Sequence, residues 1–240
     1  MAISIWRCTL KRAASRLSLQ RSLSLYNSSH GFCEEEIKRK LAQLKGGSVK
    51  LWKRDNGIAE LCIHNPEKRN ALTGAMAVEL EERVCDLEKW QQGKGLIVYG
   101  AENTFCSGGD LKTEIAIANK QDGINVCMFM QNITARLQRL MTEGSQIQFI
   151  HKHMGLVPVF GGATRLIQLI GSRHALKILS GAVRVHPELA LNIGLADEVL
   201  SRGADGALEE AQKWISSYTK GPAEVTRAVK KAIVSGRERG

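Results

Sequence analysis

The spacing of hydrophobic and polar positions changes along the chain, and each change marks an element. Over residues 34–44 the pattern predicts a short amphipathic helix, ended by Gly46-Gly47. Two short runs, 49–53 and 59–64, flank Asp55-Asn56-Gly57. Asn-Gly between two such runs predicts a hairpin. Leu72, Met76, Leu80, Val84 and Leu87 recur at three- and four-residue spacing and predict a helix over 73–90. The compact run Gly95-Leu96-Ile97-Val98-Tyr99 reads as a buried parallel strand. A long helix is expected over 122–140, with Val126, Phe129, Met130, Ile133 and Leu137 on one face. A short strand at 146–150, helices at 164–180 and 187–193, a strand at 196–200 and helices at 206–219 and 222–235 complete the pattern. Strands alternate with helices, so the fold class is α/β.

One stretch carries candidate chemistry: Gly100-Ala101-Glu102-Asn103-Thr104-Phe105-Cys106-Ser107-Gly108-Gly109-Asp110-Leu111. It joins a predicted strand to a predicted helix, and Asp110 can cap that helix. Such a junction gathers backbone N–H groups and the positive end of a helix, where an anion or oxyanion can sit. An ordinary βα turn uses glycine in the same way, and spacing does not separate the two.

Composition narrows the classes. The 240 residues carry a formal net charge of +10. Five of the basic side chains (Arg7, Lys11, Arg12, Arg16, Arg21) lie in residues 1–33, which hold no acid. That head reads either as a mitochondrial presequence or as a basic, disordered tail. A nucleic-acid binder would combine a basic stripe with aromatics; aromatics are only 5% here, so no nucleic-acid partner is expected. No apolar run reaches about 18 residues, so no membrane span is expected. The six cysteines are scattered without C-x-x-C, which fits reduced thiols and no metal.

Residues 63–72, Ile63-His64-Asn65-Pro66-Glu67-Lys68-Arg69-Asn70-Ala71-Leu72, resemble the N-P-x-x-x-N-A-L loop of the crotonase (enoyl-CoA hydratase/isomerase) superfamily. Residues 104–111 resemble that family's T-F-x-x-G-x-D-L loop at the expected distance. Two further matches follow in order: Met154–Pro158 running into Gly161-Gly162-Ala163-Thr164-Arg165-Leu166, and Ala175-Leu176 through Gly194-Leu195-Ala196-Asp197-Glu198-Val199. The resemblance covers residues 48–236. It implies a spiral of ββα units, a CoA thioester as substrate, no further cofactor, and homotrimers as the usual assembly. By position, the Gly109 N–H is the first oxyanion donor, Gly108 lets the backbone turn, and Asp110 caps the helix. Lys68 and Arg69 would meet CoA phosphates, and the backbone at Asn70 and Ala71 would hold the adenine. Val159 and Phe160, with Gly161 and Gly162 beside them, would line the acyl pocket.

The chain also departs from the family. The expected helix at 122–140 runs into Met141-Thr142-Glu143 with no trace of the family's strand, G-x-A-x-G-G-G loop, helix and strand. That segment supplies the second oxyanion donor. The closing C-terminal helices also have no counterpart. The domain 34–240 therefore reads as a crotonase-like spiral that is incomplete, shortened near 140/141 and at its C-terminal end, as alternative splicing would produce. Hydratases of the family use two glutamates. One falls in the absent segment, and His153 occupies the slot of the other. Decarboxylation needs no base to begin, so the surviving residues favour a malonyl-CoA-type decarboxylase. Within the family the wording implies ethylmalonyl-CoA as substrate, methylmalonyl-CoA less readily, and a place in fatty acid metabolism. The alternatives are an enoyl-CoA hydratase/isomerase or an inactive CoA-binding form. Location in the cytosol is expected, with the mitochondrial matrix as alternative. With a strand gone, the run 96–99 is expected to present an unpaired edge.

Overall fold

The computed structural model describes residues 2–6, 32–102, 104–117, 119–134, 138–142, 144–155, 158, 162–201 and 204–237. Its centre is a six-stranded sheet. In chain order the strands are β1 (Ala2–Trp6), β2 (Ser48–Lys53), β3 (Ile58–His64), β4 (Gly95–Gly100), β5 (Gln138–Thr142) and β8 (Val199–Leu200). Their spatial order is β2-β3-β4-β1-β5-β8. A separate small sheet pairs β6 (Ile147–Gln148) with β7 (Arg184–Val185). The helices are α1 (Glu34–Ala42), α2 (Gly74–Lys89), α3 (Leu111–Ala116), α4 (Lys120–Thr134), α5 (Gly162–Gly181), α6 (Pro187–Asn192), α7 (Ala204–Tyr218) and α8 (Ala223–Arg237). No helix among the described residues is long and apolar enough to cross a membrane.

The expected hairpin forms. The Asn56 side chain accepts from the Ile58 N–H at 2.9 Å, and the Gly57 N–H closes the turn on Arg54 at 3.0 Å. β3 then runs parallel to β4. Both faces of β3 are covered, which is why it is buried almost throughout rather than alternating. On one face Leu61, Leu96 and Val98 pack with Ile37 and Leu41 of α1, Met76, Leu80, Val84 and Leu87 of α2, and Phe129 of α4. On the other face Ile58 and Ile97 pack with Ala207, Ala211 and Ile215 of α7. Glu60 lies buried on that face, and the Arg54 Nε and Nη2 donate to its carboxylate at 3.0 and 2.6 Å. The Gln212 amide adds a bond at 2.5 Å, so the charge is satisfied and α7 is tied to the sheet.

Three expectations need correction. The helix expected over 122–140 is described over Lys120–Thr134 and does not reach 140. Residues 138–142 form β5, paired with β1 on one side and with β8 on the other. Inter-strand pairing overrides the helical period there, as tertiary context does when local propensity is weak; Leu137 falls outside the described residues. The head is not wholly outside the domain, because Ala2–Trp6 is a strand of the central sheet. The run 96–99 has no free edge: β1 pairs antiparallel with β4 (Ser4 opposite Val98, Trp6 opposite Leu96) and with β5 (Ala2 opposite Met141). β4 and β5 therefore point the same way with one reversed strand between them.

Candidate functional site

The two loops singled out by sequence are brought together. The 65–72 loop starts with a 3₁₀ turn, Pro66–Lys68, and then Arg69 and Asn70 take left-handed backbone angles, φ 51° and 57°. Asparagine tolerates that region better than most residues. Asn70 is fully buried, and its side chain joins three pieces of chain. Its amide donates to the Ala101 and Thr104 carbonyls at 2.7 and 2.6 Å. Its carbonyl oxygen accepts from the Asn65 N–H at 2.8 Å. Asn65 in turn donates from its amide to the Ala71 carbonyl at 2.8 Å. Gly100 opens the second loop, where a Cβ would run into the backbone carbonyls of Thr104 and Phe105. No other residue fits that return.

Gly109 is held by its neighbours. The Leu72 N–H donates to the Gly108 carbonyl, and the Asp110 N–H donates to the Leu72 carbonyl, both at 2.8 Å. These bonds form a one-residue parallel bridge between Leu72 and Gly109. The Gly109 N–H itself has no acceptor among the described residues, and Gly109 is exposed. Gly108 provides the turn, at φ 111° with open space around its Cβ position. One backbone donor is thus presented from a loop fixed on both sides, the kind of preorganised N–H that can serve as one donor of an oxyanion site.

Asp110 caps α3 as expected, accepting the Thr113 N–H at 3.3 Å. Its other oxygen accepts from the Lys68 ammonium at 2.6 Å. The Lys68 bond, helped by the Thr113 N–H, holds the Asp110 carboxyl below the usual carboxylate range against the opposing effect of burial. Lys68 therefore reaches the site, but as a partner of Asp110. Arg69 is exposed, and its side chain has no partner among the described residues. The N–H groups of Asn70 and Ala71 are used inside the loop, on the carbonyls of Asn65 and Lys68 at 2.8 and 3.0 Å. The Asn70 carbonyl accepts nothing among the described residues and stays open to a donor.

The rest of the expected site is not gathered here. His153 lies in a 3₁₀ turn, His151–Met154, is exposed, and has no described bond to the Gly108–Asp110 loop. Gly162 starts α5, half-buried beside Pro158. Val159, Phe160 and Gly161 lie outside the described residues. Sequence reasoning missed Glu114, whose Oε1 is 2.5 Å from the Cβ position of Gly109. The signal for it was a carboxylate four residues after Asp110, on the first turn of the capped helix.

Comparison with known proteins identifies the family and the fold. The family model described as enoyl-CoA hydratase/isomerase matches residues 53–143 and 138–239, two pieces that meet at 138–143. An ethylmalonyl-CoA decarboxylase of Xenopus laevis is 57% identical, covering 99% of this chain and 89% of the relative. The human protein of that name is 46% identical over 99% of this chain and 87% of its own length. The Xenopus alignment runs over 265 positions against a chain of 240 residues, so at least 25 of its positions have no residue here. Among solved structures, an enoyl-CoA hydratase of Bacillus anthracis superposes with a TM-score of 0.71 at 18% identity, covering 80% of this chain and 84% of that one. An enoyl-CoA hydratase-like protein of Thermobifida fusca in complex with CoA gives 0.64 at 20% identity, covering 83% and 88%. With its two loops joined as the motifs require and the family model matched over most of its length, the chain belongs to the enoyl-CoA hydratase/isomerase family.

Proposed function

We propose that the chain decarboxylates ethylmalonyl-CoA, and methylmalonyl-CoA less readily, through a thioester enolate held at Gly109. The observation that carries this reading is the Gly109 N–H, presented without an acceptor from a loop fixed on both sides. A thioester carbonyl oxygen on that N–H would gain negative charge as CO₂ leaves, and a fixed donor favours the charged form. Loss of CO₂ needs no base to start. Hydration needs an acid and a base that the sequence does not supply in the family's positions, and His153 has no bond to the loop. The names carried by the Xenopus and human relatives support the same substrate.

The CoA portion would lie along the 65–72 loop. Arg69 is free to meet a phosphate, the Asn70 carbonyl to accept from adenine, and Lys68 to join once it exchanges Asp110 for a phosphate. We place the second oxyanion donor in a segment that this chain lacks near 140/141. The 25 or more relative positions without a counterpart and the two-piece family match support that placement. Turnover is then expected to be weak. A cytosolic protein clearing carboxylated acyl-CoA in fatty acid metabolism fits this chemistry. The pairing of β1 in the sheet favours a head that stays attached over a cleaved presequence. Trimers are the family's usual assembly and are proposed here on that ground alone.

An inactive CoA-binding form is the second reading, favoured by the engagement of Lys68 with Asp110. Release of CO₂ from ethylmalonyl-CoA by the purified chain, with crotonyl-CoA as control, separates the readings. Slow decarboxylation that disappears in Gly109→Pro supports the proposal. Hydration of crotonyl-CoA without CO₂ release, or no turnover of either thioester, overturns it.

A further inference from the structure

One titratable side chain lies directly against Gly109. A Cβ built on that residue would be 2.5 Å from Glu114 Oε1. Glu114 is exposed on α3, and its carboxylate has no hydrogen-bond or ion-pair partner among the described residues. Two neighbouring side chains of the loop, Asp110 and Cys106, are already engaged. Asp110 is held by Lys68 and by the Thr113 N–H. The Cys106 sulfur faces the backbone of Gly108, and burial pushes its thiol up. We propose that Glu114 delivers the proton that quenches the enolate at its α carbon, an inference that rests on the decarboxylase reading.

The bond from the α carbon to the carboxylate breaks, CO₂ leaves, and the electron pair moves through the α carbon onto the thioester oxygen at the Gly109 N–H. The α carbon then takes a proton from the Glu114 carboxyl. The oxygen's electron pair re-forms the carbonyl, and the Glu114 carboxylate recovers a proton from water. Starting from ethylmalonyl-CoA the product is butyryl-CoA. The geometry suits this role. The α carbon is bonded to the carbonyl carbon whose oxygen is held at Gly109, so a group against Gly109 is within reach of it. An exposed carboxyl exchanges its proton with solvent between turnovers. General acid–base groups placed in this way contribute roughly 10²–10⁴-fold.

The test uses two readouts in D₂O on the full chain: CO₂ release from ethylmalonyl-CoA, and wash-in of deuterium at the α carbon of butyryl-CoA. Wash-in is the same proton transfer run in reverse and does not need a departing carboxylate. In Glu114→Gln it should fall by roughly 10²–10⁴-fold while butyryl-CoA still binds, and Glu114→Asp should keep part of it. Deuterium entering during residual decarboxylation by Glu114→Gln should be racemic, whereas the unaltered chain places it on one face. Wash-in at the unaltered rate in Glu114→Gln overturns the role of Glu114 even if CO₂ release stands. So does a Glu114→Gln chain that has simply lost butyryl-CoA binding. Glu114-dependent wash-in without any CO₂ release overturns the decarboxylase reading and leaves the proton transfer supported. A folded, unaltered chain that does neither overturns both.

Discussion

The two halves of the central sheet are built differently. The β2-β3-β4 half is a hairpin and a parallel neighbour, covered on both faces and cross-linked by side chains. Thr73 caps α2 by accepting from the Met76 N–H at 3.3 Å and donates to the Gly46 carbonyl at 2.7 Å. Lys40 of α1 meets Asp122 of α4 at 2.7 Å, and Asn70 joins the two site loops. The β1-β5-β8 half is assembled from distant pieces, and β8 contributes only two residues. In the chain that follows β5, Ile150, Met154, Ile167, Leu169 and Leu176 are all exposed. Local, densely bonded structure holds the half that presents Gly109. The other half depends on a strand borrowed from the head of the chain. Apolar surface left open beside such a half favours association.

That contrast can be broken from either side. The largest effect is expected from the borrowed strand. Prolines in place of Ile3 and Ile5 remove the N–H donors of a strand that pairs on both edges. β4 and β5 would both be left with an open edge. Against a total stability of about 5–15 kcal/mol, loss of the cooperative thermal transition is expected, together with aggregation. A melting temperature that does not change would show that β1 contributes nothing to the sheet.

Next comes Asn70→Ala. It leaves the Ala101 and Thr104 carbonyls and the Asn65 N–H without partners, and each buried unsatisfied group costs about 1–3 kcal/mol. Chemical denaturation should show a loss of about 3–5 kcal/mol, from the same per-group estimate. Catalysis should fall with it, since Gly109 would lose its frame. A loss under about 1 kcal/mol, the size of an ordinary net hydrogen bond, would mean that the loops are joined by other contacts.

Much of the β2-β3-β4 half was legible in the sequence, for local reasons. Asn56-Gly57 encodes its own turn, Leu72 to Leu87 encodes its own buried face, and Asp110 encodes its cap. The loop motifs located Gly109, but not what fixes it. That the Asn70 side chain spans three segments depends on contacts about 30 residues apart, which no local pattern expresses. The other half failed for the converse reason. Residues 138–140 read as the end of a helix because the period of α4 leads into them, whereas the strand they open, 138–142, has its partners at residues 2–5 and 199–200. Glu114 was visible as a residue. Its closeness to Gly109 comes from the way α3 leaves the capped loop.

A smaller effect isolates the backbone donor. Gly109→Ala should keep most CO₂ release, because its Cβ displaces only the end of Glu114, which acts after CO₂ has left, whereas Gly109→Pro removes the N–H. Removing one such donor costs roughly 10²–10³-fold in rate. Equal losses in the two variants would point to packing instead of the N–H.

The smallest effect concerns Lys68 and Asp110. The folded-state carboxyl of Asp110 titrates below its unfolded counterpart, which lies near about 3.9. Its stabilisation is therefore complete above that value and is lost as pH falls through the folded-state value. Asp110→Asn should flatten this acid limb. The partly exposed pair should contribute under about 1 kcal/mol at neutral pH. An unchanged acid limb in Asp110→Asn would assign it to other carboxylates.

The central claim is that this chain carries one intact oxyanion donor of a decarboxylase site and lacks the second. The direct test is CO₂ release from ethylmalonyl-CoA by the 240-residue chain, beside the same chain with the corresponding segment of the Xenopus relative inserted between Leu140 and Met141. The account predicts slow, Gly109-dependent release from the first and a gain of roughly 10²–10³-fold in the second. No release from either protein, or equal rates from both, would contradict it.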